Sequence, residues 1–168
     1  MSLAAARRPG KTPAGRILLG ILAAMAFPAT AFSAEAKGEW LVAERTARVR
    51  IVDCAGALWG IVSWESDPGI DVKNPDPAKR ARPILGMPIL LAMKPDGPNR
   101  WTGGIYNSQN GKTYSGGISL FDSGVLRVRG CILGFLCGGE NWTRADSTAR
   151  EEQAPPDAVI CSRPDLTP

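Results

Sequence analysis

The 168 residues carry 20 lysines and arginines against 16 aspartates and glutamates, with four cysteines and no histidine. Without histidine, the Ser-His-Asp and Cys-His forms of nucleophilic catalysis are excluded, and the commonest general base near neutral pH is missing. Residues 1–36 hold four of the basic and one of the acidic groups, so the remainder carries 16 against 15 and lacks the basic stripe that a nucleic-acid partner requires.

The chain opens with a cationic segment (Arg7, Arg8, Lys11, Arg16), an apolar run from Ile17 to Phe27, and small-residue sites at Ala29-Thr30-Ala31 and Ala34-Glu35-Ala36. This order predicts a secretory signal peptide over residues 1–36, removed on export to the periplasm or the exterior. Arg7-Arg8 invites a twin-arginine reading, but Pro9-Gly10-Lys11 supplies none of the apolar residues expected after such a pair. The run is shorter than the roughly 20 apolar residues of a membrane span, so no stable span is expected after removal.

Cys54, Cys131, Cys137 and Cys161 all fall in the exported part, where disulfides form and persist. Three complete pairings are open. The short separation of Cys131 and Cys137 favours a local bridge, worth roughly 2 kcal/mol by loop-closure entropy, and this leaves Cys54 for Cys161. A zinc site is disfavoured by the lack of a close Cys-x-x-Cys pair and of histidine.

Strand-like segments then follow in series, with no amphipathic helix of ten residues or more. The first covers Glu39 to Glu44. From Ala47 to Asp53, Arg48 and Arg50 alternate with Val49 and Ile51, the period of two expected when one face is buried. Cys54-Ala55-Gly56 turns the chain into Leu58 to Glu65, where both faces are apolar and the inward one is not legible. A polar stretch runs from Ser66 to about Ile84, with Asp76 as N-cap and Pro77 at the first position of one helical turn through Arg80. Further strands are read at Leu85 to Met93, Arg100 to Tyr106, Lys112 to Phe121, Val125 to Arg129 and Glu140 to Arg144. Pro95-Asp96-Gly97-Pro98, Asn110-Gly111 and Asp122-Ser123-Gly124 supply the turns. Ala145 to Pro168, polar and proline-rich, reads as a disordered tail unless Cys161 is bridged.

Eight short sequential antiparallel strands predict an all-β fold, a small up-and-down barrel with one long polar loop, occupying residues 37–144. A barrel of this size either fills with side chains or holds one small ligand. With five tryptophans to place, a mostly filled interior is expected; a shallow pocket at one mouth stays open as the alternative.

Val49-Arg50-Ile51, Cys54-Ala55-Gly56-Ala57-Leu58, Gly60, the run Asp71 to Pro83 containing Asn74-Pro75-Asp76-Pro77-Ala78-Lys79-Arg80-Ala81-Arg82-Pro83, Gly111-Lys112-Thr113-Tyr114 and Trp142-Thr143-Arg144 together resemble the DUF2147 family of bacterial exported proteins. The resemblance spans about Gly38 to Arg144. It implies a lipocalin-like barrel and supplies no catalytic residues. Gly38-Glu39-Trp40 with Arg144 resembles the calycin arrangement in which a last-strand arginine packs across a first-strand tryptophan, a structural cation–π contact. The chain departs from the family at Trp59 and Leu85, where cysteines are expected, and this again leaves Cys54 to Cys161.

Asp71 and Asp76, flanking Asn74, have the chemistry of paired carboxylates or calcium ligands. The structural alternative is that Asp76 caps a turn, Asn74 orders the loop, and Arg80 or Arg82 pairs with Asp71. Trp64, Trp101, Tyr106 and Tyr114 are candidates to line an apolar pocket, against the alternative of plain core. Leu133, Phe135 and Leu136 make an apolar loop that either meets a partner or membrane surface or folds over the barrel mouth. The reading is a barrel that binds a small apolar ligand without transforming it, with no cofactor or metal. The alternative is a module contacting an envelope protein through loop 71–83.

Overall fold

The computed structural model describes residues 36–122, 124–145 and 157–163. The expected signal segment, Ala36 excepted, lies outside the described residues. Eight strands, β1 (Gly38–Leu41), β2 (Ala47–Cys54), β3 (Ala57–Glu65), β4 (Pro88–Pro95), β5 (Arg100–Asn107), β6 (Lys112–Asp122), β7 (Val125–Ile132) and β8 (Leu136–Arg144), pair antiparallel in chain order. β8 returns to β1 through Trp40 opposite Arg144 and Leu41 opposite Thr143, closing the barrel. The all-β up-and-down reading is borne out.

On β2 the predicted alternation holds: Val49 and Ile51 are buried inside, while Arg50 faces out and donates to Glu39 across the β1–β2 pair at 2.6 Å. β3 is apolar on both faces because both are covered. Leu58 joins the interior cluster, and Val62 borders the interior space beside it. Trp59 and Ile61 point outward with Val52, beneath Ile160 of α1 (Asp157–Cys161). Gly60 lies on the inner face where a Cβ would come within 2.7 Å of the Leu90 side chain, so this strand pair can approach closely only with glycine there.

The segment read as a disordered tail is therefore ordered over 157–163. Ile160 is fully buried against the outer wall, Cys161 is bridged to Cys54, and Arg163 donates to the Gly86 carbonyl. A helix of one turn is not stable in isolation; burial and the bridge hold it. The second disulfide, Cys131–Cys137, joins residues directly opposite each other on β7 and β8. These strands reach Ile132 and begin at Leu136, so the expected loop is a strand-paired hairpin. Its tight turn places Leu133 and Gly134 at φ +54° and +79°, the left-handed pair that matches strand twist. β4 begins at Pro88, three residues later than read, because Ile84 to Met87 are engaged by backbone bonds to Gly69 and Val62.

One end of the barrel is filled. Trp40, Val49, Ile51, Leu58, Met93, Trp101, Ile118 and Leu126 form its core. The Arg144 guanidinium lies 4.3 Å from the Trp40 ring, and its Nη1 donates to the Lys37 carbonyl. The Trp40 indole donates to the Ala36 carbonyl at 2.9 Å, so Ala36 is itself part of the plug. The opposite end is open, and it carries the long loop between β3 and β4.

Candidate functional site

The polar loop is anchored on one buried carboxylate. Asp71 Oδ1 accepts from the Tyr106 hydroxyl at 2.7 Å. Its Oδ2 accepts from Asn74 Nδ2 at 2.7 Å and from Arg82 Nε and Nη2 at 3.0 and 2.9 Å. Asn74 also donates to the Tyr106 hydroxyl, and its Oδ1 accepts from the Asp76 amide. Asp76 caps the 3-10 turn Pro77–Lys79 by accepting from the Ala78 amide at 3.0 Å, as the Asp-Pro pair predicted. Arg80 Nε donates to the Asn74 carbonyl. A short bridge between Ile70 and Pro83 closes the loop at its base.

Burial by itself would raise the Asp71 pKa. The hydrogen bonds from Asn74, Tyr106 and Arg82, with the Arg82 charge, outweigh it and hold the carboxyl below the ordinary aspartate range. The same arrangement pushes the Tyr106 hydroxyl up, through burial and then the hydrogen bond and charge of Asp71. Asp71 and Asp76 are thus engaged in separate internal bonds, and they do not share a cleft as a pair of acids. The loop also leans on the β5–β6 hairpin: Gly111 sits at φ +70°, where a Cβ would fall 1.8 Å from the Lys73 carbonyl oxygen.

Beside the loop, the barrel mouth opens into a cavity of about 860 Å³. Its walls include Val62, Ile89, Leu90, Ile105 and Trp142, and its rim includes Ile84, Ile132 and Leu136. The interior is therefore filled at one end and hollow toward the other, which corrects the mostly filled interior expected from five tryptophans. The aromatic count was misleading because Trp59 lies outside the barrel and Trp64 is away from the cavity, half-buried under the Arg48 guanidinium at 5.7 Å.

Of the residues singled out in the sequence, Tyr106 and Tyr114 line the cavity. Asp71, Asn74, Asp76, Arg80 and Arg82 build the loop that holds Tyr106 in place. Trp101 belongs to the core of the filled end. The apolar loop does not close the mouth: Leu133 and Phe135 project at its edge, 79% and 70% exposed.

Glu140 was missed as a site residue. It lies on the inner face of β8 with Gly138 and Trp142, accepts a hydrogen bond from the Trp142 indole, and shares the cavity with Glu44. Burial, together with a hydrogen bond to Glu44 and the charge of that residue, pushes its pKa up despite the indole donor. The signal was present in the spacing, since Glu140 stands two residues before a tryptophan that faces the core. Reading it required the strand to begin at Leu136.

A closed eight-stranded barrel, plugged at one end by a Trp–Arg pair and hollow at the other, is a lipocalin-like architecture. Among solved structures the chain is similar to protein HP1028 from Helicobacter pylori, described as belonging to the lipocalin family. The match has a TM-score of 0.56 and 22% identity, over 60% of this chain and 73% of that one. The chain belongs to the family described as "Uncharacterized protein conserved in bacteria (DUF2147)", which matches residues 38–144. No curated protein matches it.

Proposed function

We propose that this is an exported, non-catalytic barrel that binds a small apolar molecule in the mouth cavity. The observation that carries this reading is a space of about 860 Å³ walled by aliphatic side chains, with Tyr106, Tyr114 and Trp142 as aromatic contacts. Sites for small molecules are typically concave, mostly apolar and of this size. The loop charges that resembled chemistry are taken up internally, which removes the paired-carboxylate reading. Two disulfides fit an oxidising compartment.

The test uses N-phenyl-1-naphthylamine, a neutral apolar fluorophore. Saturable enhancement by the purified mature protein is expected. Gly138→Trp should weaken it at least about tenfold, because Gly138 lines the cavity and an added Cβ meets nothing within 4 Å. Absence of saturable binding, joined with native mass spectra that show no co-purified small molecule, would overturn the reading.

A second reading, contact with an envelope protein through loop 71–83, is favoured by Ile70 and Val72, which are 50% and 55% exposed. Crosslinking through Lys73 or Lys79 in the intact envelope should then trap a discrete partner, and repeated failure would count against it.

A further inference from the structure

The cavity has a sign. Four carboxylates line it, Glu44 from the β1–β2 turn, Glu65 from the end of β3, Asp67 from the start of the long loop and Glu140 from β8; among the described residues no lysine or arginine lines it. Of the loop's cationic side chains, Arg82 is paired with Asp71 and Arg80 donates to the Asn74 carbonyl, and neither Lys73 nor Lys79 lines the cavity.

Given the reading of the cavity as a ligand site, we propose that it selects cationic amphiphiles: molecules with an apolar body and an ammonium or comparable positively charged group. The body lies against Ile89, Leu90, Ile105 and Val62. The charged group lies between Glu140 and Glu44, with the face of an aromatic wall residue beside it.

Two points of physics carry this. First, Glu44 and Glu140 line the same space, and burial together with the neighbouring Glu44 pushes the Glu140 carboxyl up, so that it holds its proton more readily than an ordinary glutamate. A ligand cation beside Glu140 favours its charged form, so the proton leaves to solvent and the carboxylate faces the cation. Second, the Trp142 indole, already tied to Glu140, and the Tyr114 ring line the same space, and aromatic rings attract cations; the Tyr106 ring already has the Arg82 guanidinium over it at 5.7 Å. A fatty-acid carboxylate at the same depth would meet four acids and no base, so anionic amphiphiles are excluded by the same geometry.

The experiment compares one chain length with three heads: dodecyltrimethylammonium, dodecanol and dodecanoate. Each competes with N-phenyl-1-naphthylamine on the mature protein, below its micelle concentration. The cation should displace the probe at least about tenfold more effectively than the alcohol, well within what one partly exposed charge pair supplies, with the anion weakest. The groups that titrate around the bound head are Glu44, Glu65, Asp67, Glu140, Tyr106 and Tyr114. Calorimetry in buffers of different ionisation enthalpy should show proton release with the cation at mildly acidic pH and none with the alcohol. Glu140→Gln and the exposed-turn variant Glu44→Gln should each lower the ratio by which the cation outcompetes the alcohol, each measured against the variant's own affinity for the neutral probe. If the three heads compete equally, or the anion wins, this proposal falls and the cavity reading stands. If the neutral probe itself fails to bind, both fall.

Discussion

Replacing Asp71 by asparagine keeps the side-chain shape and removes one charge. In the folded protein this carboxylate is fully buried and takes four donor contacts at 2.7–3.0 Å, two of them from the Arg82 guanidinium. Breaking a buried ion pair from one side costs about 3–5 kcal/mol, most of it the uncompensated partner. The Arg82 side chain is 26% exposed, so water relieves part of that, and about 3 kcal/mol is expected. For a domain of this size that is a fall in Tm of roughly 10–15 °C by calorimetry. Tyr106→Phe leaves Asp71 Oδ1 without its hydroxyl donor and should cost about 1–2 kcal/mol. Because the two residues share one hydrogen bond, the double variant should fall short of the sum by about 1 kcal/mol. An Asp71→Asn loss below about 1 kcal/mol, with strict additivity to Tyr106→Phe, would refute the claim that this network organises the loop.

The same pair sets the pH response. Asp71 is held below its ordinary range, so its contribution is present at neutrality and lost as pH falls through that range toward the folded value; Tyr106 is raised, so its contribution is present below the ordinary tyrosine range and lost as pH climbs through it. Denaturation curves of Asp71→Asn should be flatter at both extremes. Cys161→Ser should cost about 2–5 kcal/mol, since it opens a bridge spanning 107 residues, and Ile160→Ala about 2–4 kcal/mol by chemical denaturation, with increased dye binding to the uncovered wall. Gly111→Ala should destabilise by more than about 2 kcal/mol, because the Cβ meets backbone at a left-handed φ, and limited proteolysis should then cut within 71–83. Since Ala36 is part of the plugged end, the proposed export predicts a mature protein whose intact mass places its first residue at Phe32, after Ala29-Thr30-Ala31; a start at Lys37 would contradict this.

The barrel was readable because its signals are local. Arg48, Val49, Arg50 and Ile51 show the period of a half-buried strand, Asn110-Gly111 marks a tight hairpin, and Asp76-Pro77 announces its own cap. What stayed hidden depended on distant partners or on empty space. The inward face of β3 is undetermined within the strand, since Trp59 and Ile61 are covered by Ile160 from far along the chain. The cavity is a property of side chains that are absent, Gly130 and Gly138 among them, and hydrophobic counting does not register vacancies. Glu140 took on meaning only once the fold placed it in the same cavity as Glu44.

The docked turn that carries Ile160 ties the barrel's surface to its redox surroundings. Before oxidation, a single helical turn must cover Trp59 and Ile61 on the strength of one isoleucine and a few polar contacts, and these two side chains would otherwise face water. With its thiols reduced, the chain would hold this turn by those contacts alone and cover the flank less firmly. On the proposed route of export, thiol oxidation would act as the latch that finishes the outer wall.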